Sequence, residues 1–409
     1  MSRIDDLIDR LAPAGVQYRE LGEIGEFVRG NGLQKSDLTD EGTGAIHYGQ
    51  VHTHYGAWAT KTKSFVPPEL AMKLRRAKTG DLVIATTSED DSGVAKAVAW
   101  VGENEVAVSG DAYIFRHSIA PKYVAYFFQS AQFQNQKARH ITGTKVRRIS
   151  GESIAKIRIP VPPREVQDEI VVILDSFNDL AGSLEAELEA RQIQYAHYRN
   201  LLMSFDSLAA ERRPFGELAT IVRGASPRPI QEFLTKAEDG VPWIKIGDVV
   251  EGRKYITETA QRVTPEGAKK SRHVKPGDFI LSNSMSFGRP YISKIDGYIH
   301  DGWLAISDFD ATFMPDFLYH LLSSAIVQAE FARRAGAGTV QNLNADIVKA
   351  VTLPVPTLSE QRRIVDVLDR FDALVNDPAV GLPGELKARR RQYEYYRDNR
   401  LFSFAEAAA

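Results

Sequence analysis

Ile159-Pro160-Val161-Pro162 is followed by Gln167, Ile170, Ile173, Leu174, Asp175, Phe177 and Leu180. The same pattern returns as Leu353-Pro354-Val355-Pro356, then Gln361, Ile364, Val367, Leu368, Asp369, Phe371 and Leu374, each 194 residues later. The stretch also ends alike, since Glu187-Leu188, Gln194-Tyr195 and Tyr198-Arg199 reappear as Glu385-Leu386, Gln392-Tyr393 and Tyr396-Arg397. A repeat of this period decides the architecture before any single element does. The chain is a duplication.

Within the repeat, Ile170, Ile173, Phe177, Leu180, Leu184, Leu188 and Tyr195 advance mostly in steps of three and four, with a stutter between Leu184 and Leu188. The spacing predicts one helix over 163–205, and roughly 40 residues rising about 1.5 Å each make a rod on the order of 60 Å long. The second copy, 357–404, starts on a capping box between Thr357 and Glu360. It then meets Pro378, Gly381, Pro383 and Gly384, which predict a break near 378–384 into helices over about 359–375 and 385–403. An apolar seam of this length requires a partner. The second copy supplies one through Ile364, Val367, Phe371, Leu374, Tyr393 and Tyr396, and a duplicated chain favours antiparallel pairing. The competing expectation is a helix that simply lies on its own domain.

Two further segments share a frame. Gly22-Glu23-Ile24 and Val28-Arg29-Gly30 are answered by Gly216-Glu217-Leu218 and Val222-Arg223-Gly224, and Gly80-Asp81-Leu82-Val83 by Gly277-Asp278-Phe279-Ile280. Segments 45–51, 81–85 and 95–101 read as strands, and 121–137 reads as one buried helix. Strands and helices that do not strictly alternate indicate an α+β class. The expected domains are an amphipathic arm (1–15), a first globular domain (16–162), the central helix (163–205), a second globular domain (206–356), the C-terminal helix (357–404) and a tail (405–409). The polar segments between the shared landmarks hardly match, as expected of one scaffold presenting two unlike surfaces.

Composition narrows the chemistry. At 409 residues the chain exceeds one core, and Lys plus Arg number 51 against 53 acids, so any nucleic-acid surface must come from local sorting of charge. The absence of cysteine removes disulfides and thiolate chemistry and fits a reducing compartment. The first ten residues are too charged for a signal peptide and no apolar run suits a membrane span, so the cytoplasm is expected. No phosphate-cradling loop ends in Gly-Lys-Ser or Gly-Lys-Thr. No Asn or Asp precedes two prolines and an aromatic residue in the manner of a base-flipping methyltransferase. His52-x-His54 lacks a third metal ligand, and Glu89-Asp90-Asp91 reads as a solvated turn. A non-catalytic chain is expected, with no metal and no cofactor of its own.

Two basic, glycine-containing segments then stand out at matched positions. One holds Arg139, Thr144, Lys145, Arg147 and Arg148; the other holds Arg333, Arg334, Gly338, Thr339, Gln341 and Asn342. Arginine and lysine neutralise phosphates and suit guanine edges, while glutamine and asparagine suit adenine. Thr87, Ser88, Asn283 and Ser284, just beyond the Gly-Asp strands, are further candidates, with Gln50, Lys245 and Arg289.

With the Pro-Val-Pro lead-ins, Gln361-Arg362-Arg363-Ile364 and the closing Arg389-Arg390-Arg391-Gln392-Tyr393-Glu394-Tyr395-Tyr396-Arg397, the chain resembles the specificity subunit of a type I restriction–modification system over nearly its whole length. The resemblance implies two target recognition domains held apart by two long antiparallel helices, each domain reading half of a split, asymmetric DNA sequence. It implies that the helices dock two methyltransferase subunits and that a restriction and translocase subunit joins them. S-adenosylmethionine, ATP and magnesium would then belong to those partners. The rival readings are a single-chain DNA-modifying enzyme with unfamiliar motifs and a coiled-coil scaffold that binds something other than DNA.

Overall fold

The computed structural model describes residues 3–204, 210–249, 253–283, 287–336 and 342–407. They form two compact units, 1–182 with 388–409, and 183–387. The fold is α+β.

In the first unit a five-stranded sheet runs in the order Gly25–Arg29, Ala112–His117, Leu82–Ala85, Ala97–Trp100, Trp58–Ala59. All neighbours are antiparallel except the last pair. The central strand, Leu-Val-Ile-Ala, is apolar throughout because both of its faces are covered. Leu82 and Ile84 point into a core with the helices Pro121–Gln129 and Ala131–Lys137. Val83 and Ala85 face a second core with Val106, Val108 and Ile46 of a four-stranded sheet.

The second unit repeats this plan. Its sheet runs Thr220–Arg223, Trp303–Ser307, Phe279–Ser282, Pro290–Ser293, Tyr255–Ile256. Phe279 and Leu281 face the helix Pro315–Leu322, while Ile280 faces the other way with Trp303 and Tyr291. Its second sheet gains an edge strand, Leu234–Thr235.

Three local readings are corrected. Segment 45–51 is a strand only over Thr43–Ile46 and then a helix, Tyr48–Thr53. His47 caps that helix, with Nδ1 accepting the Gly49 N–H while its own N–H is accepted by Gln50 Oε1. Segment 121–137 is two helices, because the Ser130 hydroxyl oxygen accepts the Phe133 N–H and starts a new one. The last helix begins at Leu382 rather than near 385, since Pro383 and Gly384 fall in its first turn, where the missing N–H costs nothing.

The central helix is Arg164–Leu202, and the second copy is Leu358–Asn376 followed by Leu382–Tyr396. Their first turns lie on their own domains: Ile170 and Leu174 are core residues of the first unit, and Ile364 and Leu368 of the second, with Ile173 partly buried beside the former pair. Aromatic pairs follow. In the first unit Phe177 meets Tyr393 and Tyr396, with ring centroids 6.3 and 5.7 Å apart. In the second, Tyr195 and Tyr198 stack on Phe371 at 6.4 and 5.6 Å. Leu188 and Phe371 pack against the second core, Leu184 is half-buried, and Leu180, Val367, Leu374 and Tyr396 are 37–41% exposed. The seam therefore serves two purposes, its start filling a domain core and its later residues pairing with the other helical segment.

One glutamine in each copy joins helix to domain through equivalent bonds. Gln167 accepts the Ala120 N–H at 2.9 Å and donates to the Pro162 carbonyl at 2.8 Å. Gln361 accepts the Met314 N–H at 2.8 Å and donates to Pro356 at 2.9 Å and Thr312 at 2.8 Å. The aspartates Asp175 and Asp369 make a second joint. Asp175 accepts from Trp58 Nε1 at 2.9 Å, Lys122 Nζ at 2.8 Å and the Tyr126 hydroxyl at 2.5 Å. Asp369 accepts from His320 Nε2 at 2.8 Å and Lys254 Nζ at 3.1 Å, and Lys254 also pairs with Asp316 at 2.5 Å. Asp316 stands at the repeat position of Lys122, so an inverted charge has been answered by a new lysine. Burial would raise the Asp369 pKa, but the His320 bond and the Lys254 charge outweigh it and hold the carboxyl low. Among the described residues no helix is long and apolar enough to cross a membrane.

Candidate DNA-reading surfaces

In the first unit four strand ends share one edge of the five-stranded sheet: the close of Gly25–Arg29, the start of Ala112–His117, the close of Leu82–Ala85 and the start of Ala97–Trp100. Gln167 attaches beyond the other end, at Ala120. The loops leaving the shared edge carry most of the polar candidates.

Arg147–Arg148 pairs with Thr87–Ser88, Arg147 opposite Ser88 and Arg148 opposite Thr87, so four candidates from distant parts of the chain come together. The turn between Thr142 and Arg148 exposes Thr144 and Lys145 at its tip, and Arg139 and Arg148 are exposed beside it. Arg147 is committed, pairing with Asp91 at 2.5 Å and donating to the Gly143 carbonyl. Behind the surface, Lys137, only 2% exposed, donates to the carbonyls of Asp91, Ser92 and Val94. Burial lowers its pKa to about 8. Asp90 accepts from Ser92 Oγ and Gly93 N, bonds that hold its carboxyl below the ordinary range. His52 Nε2 donates to the Thr87 carbonyl at 2.9 Å. Among the described residues no cluster suits a metal ion. Gln50 stands apart, capping His47 and donating to Ser64 Oγ at 2.7 Å.

In the second unit Arg333 and Arg334 both engage Glu330, at 2.8 and 2.6 Å, and the Arg333 bond in particular brings the Glu330 pKa down to about 2. Asn342 is exposed. Asn283 is buried, donates to the Asp301 carbonyl at 3.1 Å and accepts the Leu343 N–H on its own carbonyl at 2.8 Å. The first unit has the same tie: Thr86 donates to the Asp111 carbonyl at 3.0 Å and accepts the Ile149 N–H at 3.2 Å. Both basic segments thus return to the same strand end. Ser284, Gly338, Thr339 and Gln341 lie outside the described residues. Arg289 lines a separate cleft.

Each unit also holds a cleft at this edge whose lining was not singled out in the sequence, apart from Lys245. The first, about 540 Å³, is lined by Arg29, Asn31, Lys35, His47, Tyr48 and Asp111. The second, about 300 Å³, is lined by Ser226, Arg228, Trp243, Lys245, His300 and Asp301. Their frame is shared. Arg29 Nε donates to the Gly110 carbonyl at 3.0 Å and Arg223 Nε to the Asp301 carbonyl at 3.1 Å. A Cβ on Gly30 or Gly224 would run into the Ser109 or the His300 carbonyl oxygen respectively, so glycine is required at both places. The linings differ. His47 faces Asp111 across the first, whereas Asp301 in the second accepts from Ser226 at 2.7 Å and pairs with Arg228 at 3.5 Å. Burial lowers the pKa of both His47 and His300, and each accepts a backbone N–H on Nδ1, which keeps it neutral with its hydrogen on Nε2. Apart from Lys245, the linear trace of these clefts is the repeated Val-Arg-Gly.

Residues 13–191 and 210–387 match the model of the type I restriction modification DNA specificity domain. The chain is 32% identical over 295 residues to the specificity subunit of the Escherichia coli type I restriction enzyme EcoR124I/EcoR124II, covering 69% of this chain and 70% of that one. It is 32% identical over 270 residues to a putative type I specificity subunit of Haemophilus influenzae, covering 63% and 67%. Among solved structures, a chain from work on assembly and conformational transition of the type I R-M system aligns with a TM-score of 0.68 at 16% identity, over 95% of this chain and 97% of that one. The S subunit from M. genitalium aligns at 0.53 and 14% identity over 95% and 96%. At those identities the structural likeness speaks for the fold. With two copies of the family domain carried on two copies of one α+β frame, this chain belongs to the type I restriction–modification specificity subunits, the non-catalytic components that recognise DNA.

Proposed function

We propose that the two recognition domains, 16–162 and 206–356, each read one half of a bipartite, asymmetric DNA target, while the helical regions 163–205 and 357–404 space the halves and dock two methyltransferase subunits. A restriction and translocase subunit completes the complex in the cytoplasm. S-adenosylmethionine, ATP and magnesium are held by those partners. The observation that carries this reading is the pair of clefts at the same sheet edge with one frame and unlike linings, each beside a basic segment tied to the same strand end. A shared frame presents a surface in the same way twice, and unlike linings select different bases. The reading surface of the first domain comprises Arg139, Thr144, Lys145, Arg148, Thr87 and Ser88. That of the second comprises Arg333, Arg334, Asn342 and Lys245, with Ser284, Gly338, Thr339 and Gln341, and with the buried Asn283 fixing the strand end behind them.

Co-expression with the modification subunit, followed by sequencing-based detection of methylated sites, tests this. A split, non-palindromic motif is expected. Lys145→Ala should lower methylation through the half read by the first domain alone, and Arg333→Ala through the other. Equal effects on both halves, or none on either, would refute the assignment.

A further inference from the structure

The two helix ends carry one informative difference. In the first unit Asp398 accepts the Ala131 N–H at 2.9 Å, capping the helix Ala131–Lys137, and also pairs with Arg397 at 2.8 Å. In the second unit the same cap is made by Asn200, which accepts the Ala325 N–H at 2.9 Å. An amide caps as well as a carboxylate but brings no charge, so the arginine that precedes it loses its acid. Arg199 lies over the Tyr195 ring at 5.0 Å, its Nε is buried without a partner, and among the described residues its side chain forms no hydrogen bond or ion pair.

Arg199 opens into a cleft of about 750 Å³ that lies wholly within the second unit and is shared with Arg253, Arg289, Gln192 and Asn376. Tyr319 lines the same cleft, where burial raises its hydroxyl pKa and the charges of Arg199 and Arg289 work against that rise. Against three arginines stands Asp372, one of whose oxygens already accepts from Tyr195 and Asn376. Even with Arg289 set aside, Arg199 and Arg253 outnumber Asp372 among the charged side chains of the described lining, which makes the cleft cationic. One of its walls, formed by Phe287, Arg289 and Pro290, is paired with the end of the strand Phe279–Ser282 that Asn283 follows, so it borders the edge assigned to base reading.

We propose that this cleft holds a phosphate of the DNA backbone next to the half-site read by the second domain, with Arg199 as its principal ligand. Guanidinium groups sharing a cleft with the neutral Gln192 amide suit a phosphodiester, which demands charge and several donors without sequence information. The first domain lacks the counterpart because Asp398 has already neutralised Arg397. The proposal rests on the DNA-reading assignment above and makes the duplex contacts unequal in the two halves.

The test uses the full chain assembled with its modification subunit, titrated with cognate duplex over a range of salt. Asn200→Asp rebuilds the ion pair of the first unit without removing the cap, and Arg199→Gln removes the cation. Each should reduce the slope of log affinity against log salt by about 0.9, the value for one phosphate. The loss should be the same on cognate and unrelated duplexes, with the melting temperature of Asn200→Asp unchanged. Arg191→Gln on the same helix, whose guanidinium is engaged by Gln194 and Glu187, should leave the slope alone. Slopes that stay at the wild-type value in both variants overturn the proposal. So does weakened assembly with the modification subunit at unchanged slope, which would give the cleft to an acidic side chain of that partner. Failure of the wild-type complex to bind any duplex would instead strike the DNA-reading assignment itself.

Discussion

His117 closes a strand of the first sheet with both ring nitrogens buried, and the Ile119 backbone beside it does not offset the burial. Burial lowers its pKa from 6.5 to about 4, so the folded unit holds it neutral where the unfolded chain would protonate it. A depressed histidine contributes fully above pH 6.5, and that contribution is lost as pH falls through the interval toward 4. We predict a loss of roughly 3 kcal/mol across that window. Urea unfolding of His117→Phe should show a flatter dependence on pH over the same interval, and an unchanged slope would locate the acid sensitivity elsewhere. At this scale the candidate site was only partly legible. The basic segments could be read because glycine and arginine cluster in line. Lys35, His47, Tyr48 and Asp111 could not, because loops far apart in the chain meet only through the pairing of strands.

Helices and strands in this chain are joined by side chains that the repeat preserves. Gln167 and Gln361 saturate the backbone at the start of the helix that follows each sheet, and Asp175 and Asp369 gather donors from strand and helix together. Removing Asp175 would strand a buried indole N–H, a phenol and a lysine at once. Asp175→Ala is expected to destabilise the first unit by about 2–3 kcal/mol, measured by chemical denaturation. Asp175→Asn should recover part of that loss, since an amide oxygen still accepts from Trp58 or Tyr126 while the charge facing Lys122 is gone. The exchange of Lys122 for Asp316, with Lys254 arriving to balance it, shows that the joint is kept while its residues are not. A repeat comparison finds the aspartates, yet it cannot find Lys254, which has no lysine opposite it.

For the whole molecule, order along the chain and membership of a unit part company. Leu401 and Phe402 follow the second recognition domain but fill the core of the first, where Phe402 sits 5.1 Å from Tyr123 and 5.7 Å from Phe127 between ring centroids. Glu406 pairs with Arg158 at 2.5 Å in the same unit. In the second unit Met203, from the end of the central helix, enters the core. The core of each unit is thus completed by residues at the close of the helical region that follows the other recognition domain in the chain. Phe402→Ala should cost about 3–5 kcal/mol. Hydrogen exchange should then accelerate in strands Leu82–Ala85 and Ala112–His117 while Phe279–Ser282 and Trp303–Ser307 keep their protection. Faster exchange in the second unit instead would contradict this placement.

By itself the sequence determined the duplication, the α+β class, the long helices and the basic segments, because spacing and composition are properties of linear order. It did not determine that Ile170 and Ile364 belong to domain cores, since an apolar stripe does not say what covers it. Nor did it reveal the paired clefts, or why asparagine at 200 differs in consequence from aspartate at 398. Those depend on which groups the fold brings within a few ångströms of one another, and strand register and chain reversal settle that only in three dimensions.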